Sequence, residues 1–164
     1  MEKIEKIINS VFFQDCLEKN IIAENERAFC GHHFEHLLTT ARLTYILLLE
    51  KGIPFISREM AYAAGLLHDI GRWHEYRTGA DHAARSAELA EAILLEAGFT
   101  GAERLLIQKA IAQHRLKEGN PEHRSPLSKA LARADSLART CFRCSSSGQC
   151  NKFEQQPHRE TLLY

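Results

Sequence analysis

Residues 34–54 read FEHLLTTARLTYILLLEKGIP, and this stretch decides the fold class. Leu37, Leu38, Ala41, Tyr45, Leu48 and Leu49 recur at the i, i+3, i+4, i+7 spacing of one buried helix face. Gly52 and Pro54 then stop the helix, because glycine accepts the left-handed cap and proline cannot continue the ladder. The same period recurs on either side. Towards the N-terminus, Ile4, Ile7, Ile8, Val11 and Phe12 form the stripe of a first helix. Beyond Pro54, Ser57 caps a third helix through Met60, Ala64 and Leu67 that stops near Gly71, and Asp81 caps a fourth that ends before Gly98. Thr100 and Glu103 make a capping box for a fifth through Leu106, Ala110 and Ile111. Ser125 followed by Pro126 opens a sixth, ending near Thr140. No alternating β-branched run is long enough for a strand, and there is no internal repeat. The expected fold is all-α, a compact single-domain bundle of five to seven helices over residues 1–140, with a Cys-containing tail at 141–164.

Composition agrees with one globular domain: 164 residues, 45% hydrophobic and 26% charged, enough to build a core and to keep it in solution. Lys and Arg (21) balance Asp and Glu (21), so no net field gathers nucleic acid or an anionic membrane. No interleaved aromatic and basic residues form a stacking platform either, so a nucleic-acid partner is not expected. No window holds the ~20 apolar residues of a membrane span, and the N-terminus lacks a signal peptide's apolar region. A cytoplasmic setting is expected, where thiols stay reduced. The helix-rich surface suits a homodimer, although no sustained heptad seam argues for a coiled coil.

The ionisable residues are distributed unevenly. There are nine His and only four Asp (Asp15, Asp69, Asp81 and Asp135), and two of those Asp adjoin His, at His68-Asp69 and Asp81-His82. His36 starts the second helix with His32 four residues earlier, His68-Asp69 closes the third, His82 opens the fourth, His114 closes the fifth and Asp135 lies within the sixth. If those helix ends converge, they make a pocket of neutral nitrogen and anionic oxygen donors suited to a first-row divalent cation. Each residue alone has a plainer reading: Asp81 as a cap, a single His as a satisfied structural residue. His74, His123 and His158 are read as solvated residues of loops or tail.

Five stretches, FEHLLTTARL (34–43), AAGLLHDIGR (63–72), DHAARSAELAEAIL (81–94), AIAQH (110–114) and LARADSLAR (131–139), resemble the HD-domain superfamily of metal-dependent phosphohydrolases in type and order. The resemblance covers most of the domain. It implies an all-helical bundle in which His36, His68, Asp69 and Asp135 hold one divalent ion (Mn, Fe, Co, Ni, Zn or Mg). His82 and His114 match positions at which expanded members hold a second. FCGHH (29–33) and the terminal Cys run are similar to a subgroup of small uncharacterised bacterial members. The implied activity is cleavage of a small phosphorylated substrate, a nucleotide or other phosphoester, by metal-activated water. Asp69 is placed to orient the nucleophile or take its proton, and His82 and His114 either hold the second ion or protonate the leaving oxygen. Arg72 and Arg139 are candidates to clamp phosphate. The alternative is a nucleotide- or metal-binding regulatory module whose Cys tail senses redox state or metal supply.

Cys141, Cys144 and Cys150 give C-x2-C-x5-C after the last helix. A fourth ligand must come from afar; Cys30 is the best candidate and His158 the second. A structural zinc, an iron–sulfur cluster and free thiols all stay open. Cys16, among Phe12, Phe13 and Leu17, reads as core packing.

Overall fold

Ser57, Asp81, Thr100 and Ser125 each cap a helix as their sequence positions predict. Ser57 Oγ accepts the Met60 N–H at 3.2 Å, Asp81 Oδ1 that of Ala83 at 3.1 Å, and Ser125 Oγ that of Ser128 at 3.1 Å. Thr100 and Glu103 exchange bonds in both directions, at 3.3 and 2.8 Å. Each cap contributes about 1 kcal/mol and, more usefully here, fixes where a helix begins. In a computed structural model that describes residues 1–27, 29–116, 124–150 and 152–156, eight α-helices follow one another. They are α1 (Glu2–Asn9), α2 (Val11–Glu24), α3 (Phe34–Glu50), α4 (Arg58–Leu67), α5 (Arg72–Thr78), α6 (His82–Glu96), α7 (Gly101–Gln113) and α8 (Pro126–Leu137). No strand occurs among the described residues. The fold is the expected all-α bundle.

Four local expectations are corrected. The first stripe is two helices, since Ser10 turns extended (ψ 126°) between α1 and α2; Val11 is left 85% exposed while Phe13 is fully buried. Cys16 packs in the core from α2, as its apolar neighbours predict. His74 sits in α5, a helix closed by Gly79 at φ 76°, rather than in a loop. Leu49 and Leu106, assigned to buried stripes, are exposed, and α8 stops at Leu137, short of Thr140. The tail after α8 folds into three short 3-10 turns, at Cys141–Arg143, Ser147–Gln149 and Phe153–Gln155. His123 and His158 lie outside the described residues.

One core holds the helices together, with Phe13, Leu37, Leu48, Leu66, Ile93, Ile107 and Leu131 all buried in it. The α3 helix lies between α4 and α8, α7 packs on α6 and α8, and α2 supports α5. Consecutive helices joined by short loops run antiparallel, so the start of one meets the end of the next. That is why His36 in the first turn of α3 comes to His68 just past α4, and why His82 at the start of α6 comes to His114 at the end of α7. Among the described residues no helix is long and apolar enough to cross a membrane.

Candidate metal centre

The His68-Asp69 doublet lies where α4 ends and the chain turns into α5. Both residues are buried, and two side chains from other helices lock the turn. Asn20 of α2 donates to the Asp69 carbonyl (2.9 Å) and accepts the Trp73 N–H (2.7 Å). Ser86 of α6 accepts the Gly71 N–H at 2.9 Å; a Cβ on Gly71 would fall 2.8 Å from the Ser86 nitrogen, so only glycine fits there.

The carboxylate of Asp69 divides its two oxygens between two sets of imidazoles. Oδ2 is 3.3 Å from His68 Nε2 and 4.0 Å from His36 Nε2. Asp135 completes that side, its Oδ1 lying 3.1 Å from His36 Nε2 and 3.6 Å from His68 Nε2. Oδ1 of Asp69 faces the other way, 2.9 Å from His82 Nε2 and 3.7 Å from His114 Nε2. The ligand atoms of His36, His68, Asp69 and Asp135 all lie within 4.8 Å of one another, as do those of Asp69, His82 and His114. Residues from α3, α6, α8 and the ends of α4 and α7 are thus brought together.

These approaches are not ordinary hydrogen bonding. His36 Nε2, His68 Nε2 and Asp69 Oδ1 are buried and have no hydrogen-bond partner. Buried polar atoms left so are costly, about 1–3 kcal/mol each, and three within one cluster are what a divalent cation would satisfy. The far ring nitrogens are already engaged: His68 Nδ1 donates to the Gly65 carbonyl (2.8 Å) and His114 Nδ1 to that of Ile111 (2.7 Å). His82 Nδ1 bonds Glu75, which also takes the Arg72 guanidinium at 2.9 Å. Protons fixed on Nδ1 leave the Nε2 lone pairs facing the centre, the arrangement ligating histidines use.

Charge follows the same logic. Burial opposes ionisation of Asp69 and Asp135, yet His68 and its neighbours hold Asp69, and Arg139 and His36 hold Asp135, well below the usual carboxylate range. Burial likewise opposes charge on His68, but Asp69 and Asp135 push its imidazole up to about 10, the mark of two carboxylates that favour positive charge at this point. Burial and the neighbouring His68 push His114 down to about 4, leaving it neutral and able to ligate.

The centre opens at Asp135, whose side chain is 20% exposed against 2% for Asp69 and His114. Arg139 borders that opening; its guanidinium donates to Asp135 Oδ1 (3.0 Å) and to Cys30 Sγ (3.2 Å). Arg72 lies on the other side, against Glu75 and the Tyr76 hydroxyl. Among the described residues the thiols do not join either group of close ligand atoms.

Sequence reasoning missed the residues behind the centre. Asn20, Glu24 and Glu75 carry no motif, and His32 stands out in the sequence only as a neighbour of His36. His32 is buried with Nε2 3.7 Å from Asp69 Oδ2, and its Nδ1 and backbone N–H both bond Glu24. Glu24 also accepts the Tyr76 hydroxyl at 2.8 Å. The available signal was two polar residues four apart, Asn20 and Glu24, on one face of α2. Burial raises the Glu24 carboxyl, but the His32 bonds overcome it and bring it from 4.5 to about 2. Its stabilisation is therefore complete above about pH 4.5 and lost as pH falls towards 2. Glu24→Gln is expected to cost about 2–3 kcal/mol at neutral pH. Its stability should fall less steeply than the parent's over that acid range, as denaturant melts at stepped pH would show.

A family model described as HD domain matches residues 33–140. An uncharacterized protein of Clostridium beijerinckii is 31% identical over 151 residues, covering 92% of this chain and 92% of that protein. No solved structure matches significantly.

Proposed function

This chain belongs to the HD-domain family, and from that membership we propose that it is a metal-dependent phosphohydrolase that cleaves a small phosphoester, a nucleotide first among them. The observation that carries the reading is the trio of buried, unpartnered ligand atoms on His36, His68 and Asp69. Those residues with Asp135 would hold one cation, and Asp69, His82 and His114 a second. A divalent cation held there supplies a water made nucleophilic at neutral pH and draws charge from a phosphoryl oxygen.

The chain's own side chains do the rest. Asp69, fixed by Asn20 through its backbone, keeps the two donor sets in register and orients the attacking water. Without a second cation, His82, backed by Glu75, would hold the phosphate and return a proton to the leaving oxygen, while His114, held neutral, would act only as a ligand. Arg139 at the open side and Arg72 at the back present guanidinium groups to phosphate oxygens, for which their forked donors are suited.

The test is turnover of a panel of nucleotides and simple phosphoesters with Mn, Fe, Co, Ni, Zn or Mg added singly. Turnover should require a cation, stop on chelation and return when the cation is restored. Tight binding without hydrolysis under every cation would replace this reading with that of a regulatory binding module.

A further inference from the structure

Outside the His/Asp centre, four thiols gather that the proposed reaction leaves unused. Cys30 stands in the loop between α2 and α3, two residues before His32, and its Sγ accepts from Arg139 Nη1 at 3.2 Å. Arg139 lies just beyond α8, two residues before Cys141, so the contact brings the loop and the start of the tail together. The tail then doubles back through successive turns. The Cys144 N–H bonds the Cys141 carbonyl (3.1 Å), the Ser147 N–H that of Cys144 (3.3 Å), and the Cys150 N–H that of Ser147 (3.2 Å). Those turns shorten the path of the tail between Cys141 and Cys150. Cys141, Cys144 and Cys150 are all half-buried. Burial raises the Cys141 thiol, and Cys30, Cys144 and Cys150 are near enough for their charges to raise it further. Four thiols thus lie around Arg139 beside the open side of the centre, although no three of their Sγ atoms stand within 4.8 Å of one another.

We propose that Cys30, Cys141, Cys144 and Cys150 bind one zinc-class divalent cation through four thiolates. Soft sulfur donors select such ions over the harder cations that carboxylates prefer. The Cys-x2-Cys turn is the usual half of a tetrahedral site, and Cys30 with Cys150 supply the other half. Each Sγ is one rotatable bond from the backbone, so the ion can draw the thiols into contact without moving a helix. Binding releases the four thiol protons and leaves a local charge of −2, which the Arg139 guanidinium against Cys30 partly offsets. The cation would clasp the tail to the loop preceding His32 and hold Arg139 over Asp135, bordering the entrance to the His/Asp centre.

The experiment uses the full chain and reads metal, not turnover, so its failure is distinct from failure of the phosphohydrolase reading. Protein, Asp69→Asn, Cys144→Ser and Cys150→Ser are loaded with Co(II), and cation content and visible spectra are recorded. Sulfur-to-cobalt charge transfer with intense tetrahedral d–d bands should appear in the parent and in Asp69→Asn. Each Cys→Ser variant should lose one cation per chain and those bands. Bands indifferent to Cys144 and Cys150, or no sulfur charge transfer at all, would overturn the proposal. Acid-labile sulfide in the isolated protein would overturn the single-cation assignment. Should the Ser variants fail to fold, alkylation of native protein with Zn(II) present decides it: Cys30, Cys141, Cys144 and Cys150 should be protected together and become reactive together on chelation. Protection unchanged by the metal would refute the site.

Discussion

Asp69→Asn is expected to empty both halves of the His/Asp centre and to reduce turnover by about 10³-fold or more. The reason is the division of labour within one side chain: Oδ2 serves the His36 and His68 side, Oδ1 the His82 and His114 side. Asparagine keeps one oxygen, removes the charge and turns an NH₂ donor towards imidazole nitrogens that should be offering lone pairs. A bound cation is worth several kcal/mol of transition-state stabilisation, and each 1.36 kcal/mol is tenfold in rate. The fold should survive, because Asn20 bonds the backbone carbonyl of residue 69 and not its side chain. Elemental analysis together with circular dichroism checks both halves of the statement. A folded Asn variant with its full complement of cations at the centre would refute the shared-ligand geometry.

Gly65→Ala is the second large effect, and its sign runs against helix propensity. In an ordinary helix interior the change stabilises by about 1 kcal/mol. Here a Cβ at Gly65 would lie 2.3 Å from the Ala41 Cα and 2.5 Å from its nitrogen, on the facing helix α3. Backbone cannot step aside as a flexible side chain does, so α3 and α4 must part. The expected cost is about 3 kcal/mol, a melting temperature lower by roughly 10 °C. Because His36 rides on α3 and His68 follows α4, cation affinity should fall with stability. Gly101→Ala is the control: nothing lies within 4 Å of its Cβ, so that change should be neutral or stabilising. A Gly65→Ala protein melting no lower than the parent would show that the two helices are not in backbone contact.

What the sequence discloses and what it conceals divide along a physical line. The caps at Ser57, Asp81, Thr100 and Ser125 are legible because each is a local contract between a side chain and a backbone N–H three residues or fewer away. The split at Ser10 is not, since neither glycine nor proline marks it and the apolar period runs on through Val11. The α5 helix hides for another reason: its residues, RWHEYRT, carry no apolar stripe, and α2 rather than its own pattern holds it in place. At the centre, His68-Asp69 and His82 show through the scarcity of aspartate and its pairing with histidine, and His36, His114 and Asp135 through their places on the helices and the order of the stretches that resemble the family. Asn20, Glu24 and Glu75 do not, because their importance is conferred by what they meet across the core.

The contact between His36 and Asp135 has a consequence during synthesis. A nascent chain carries His36 from its third helix, but the opposing carboxylate of Asp135 follows only with α8, after α4 to α7 have been made. Until α8 emerges and docks beside α3, that ligand set is one carboxylate short. A partly made polypeptide therefore lacks the complete donor set, which closes only when the last helix has packed into the bundle.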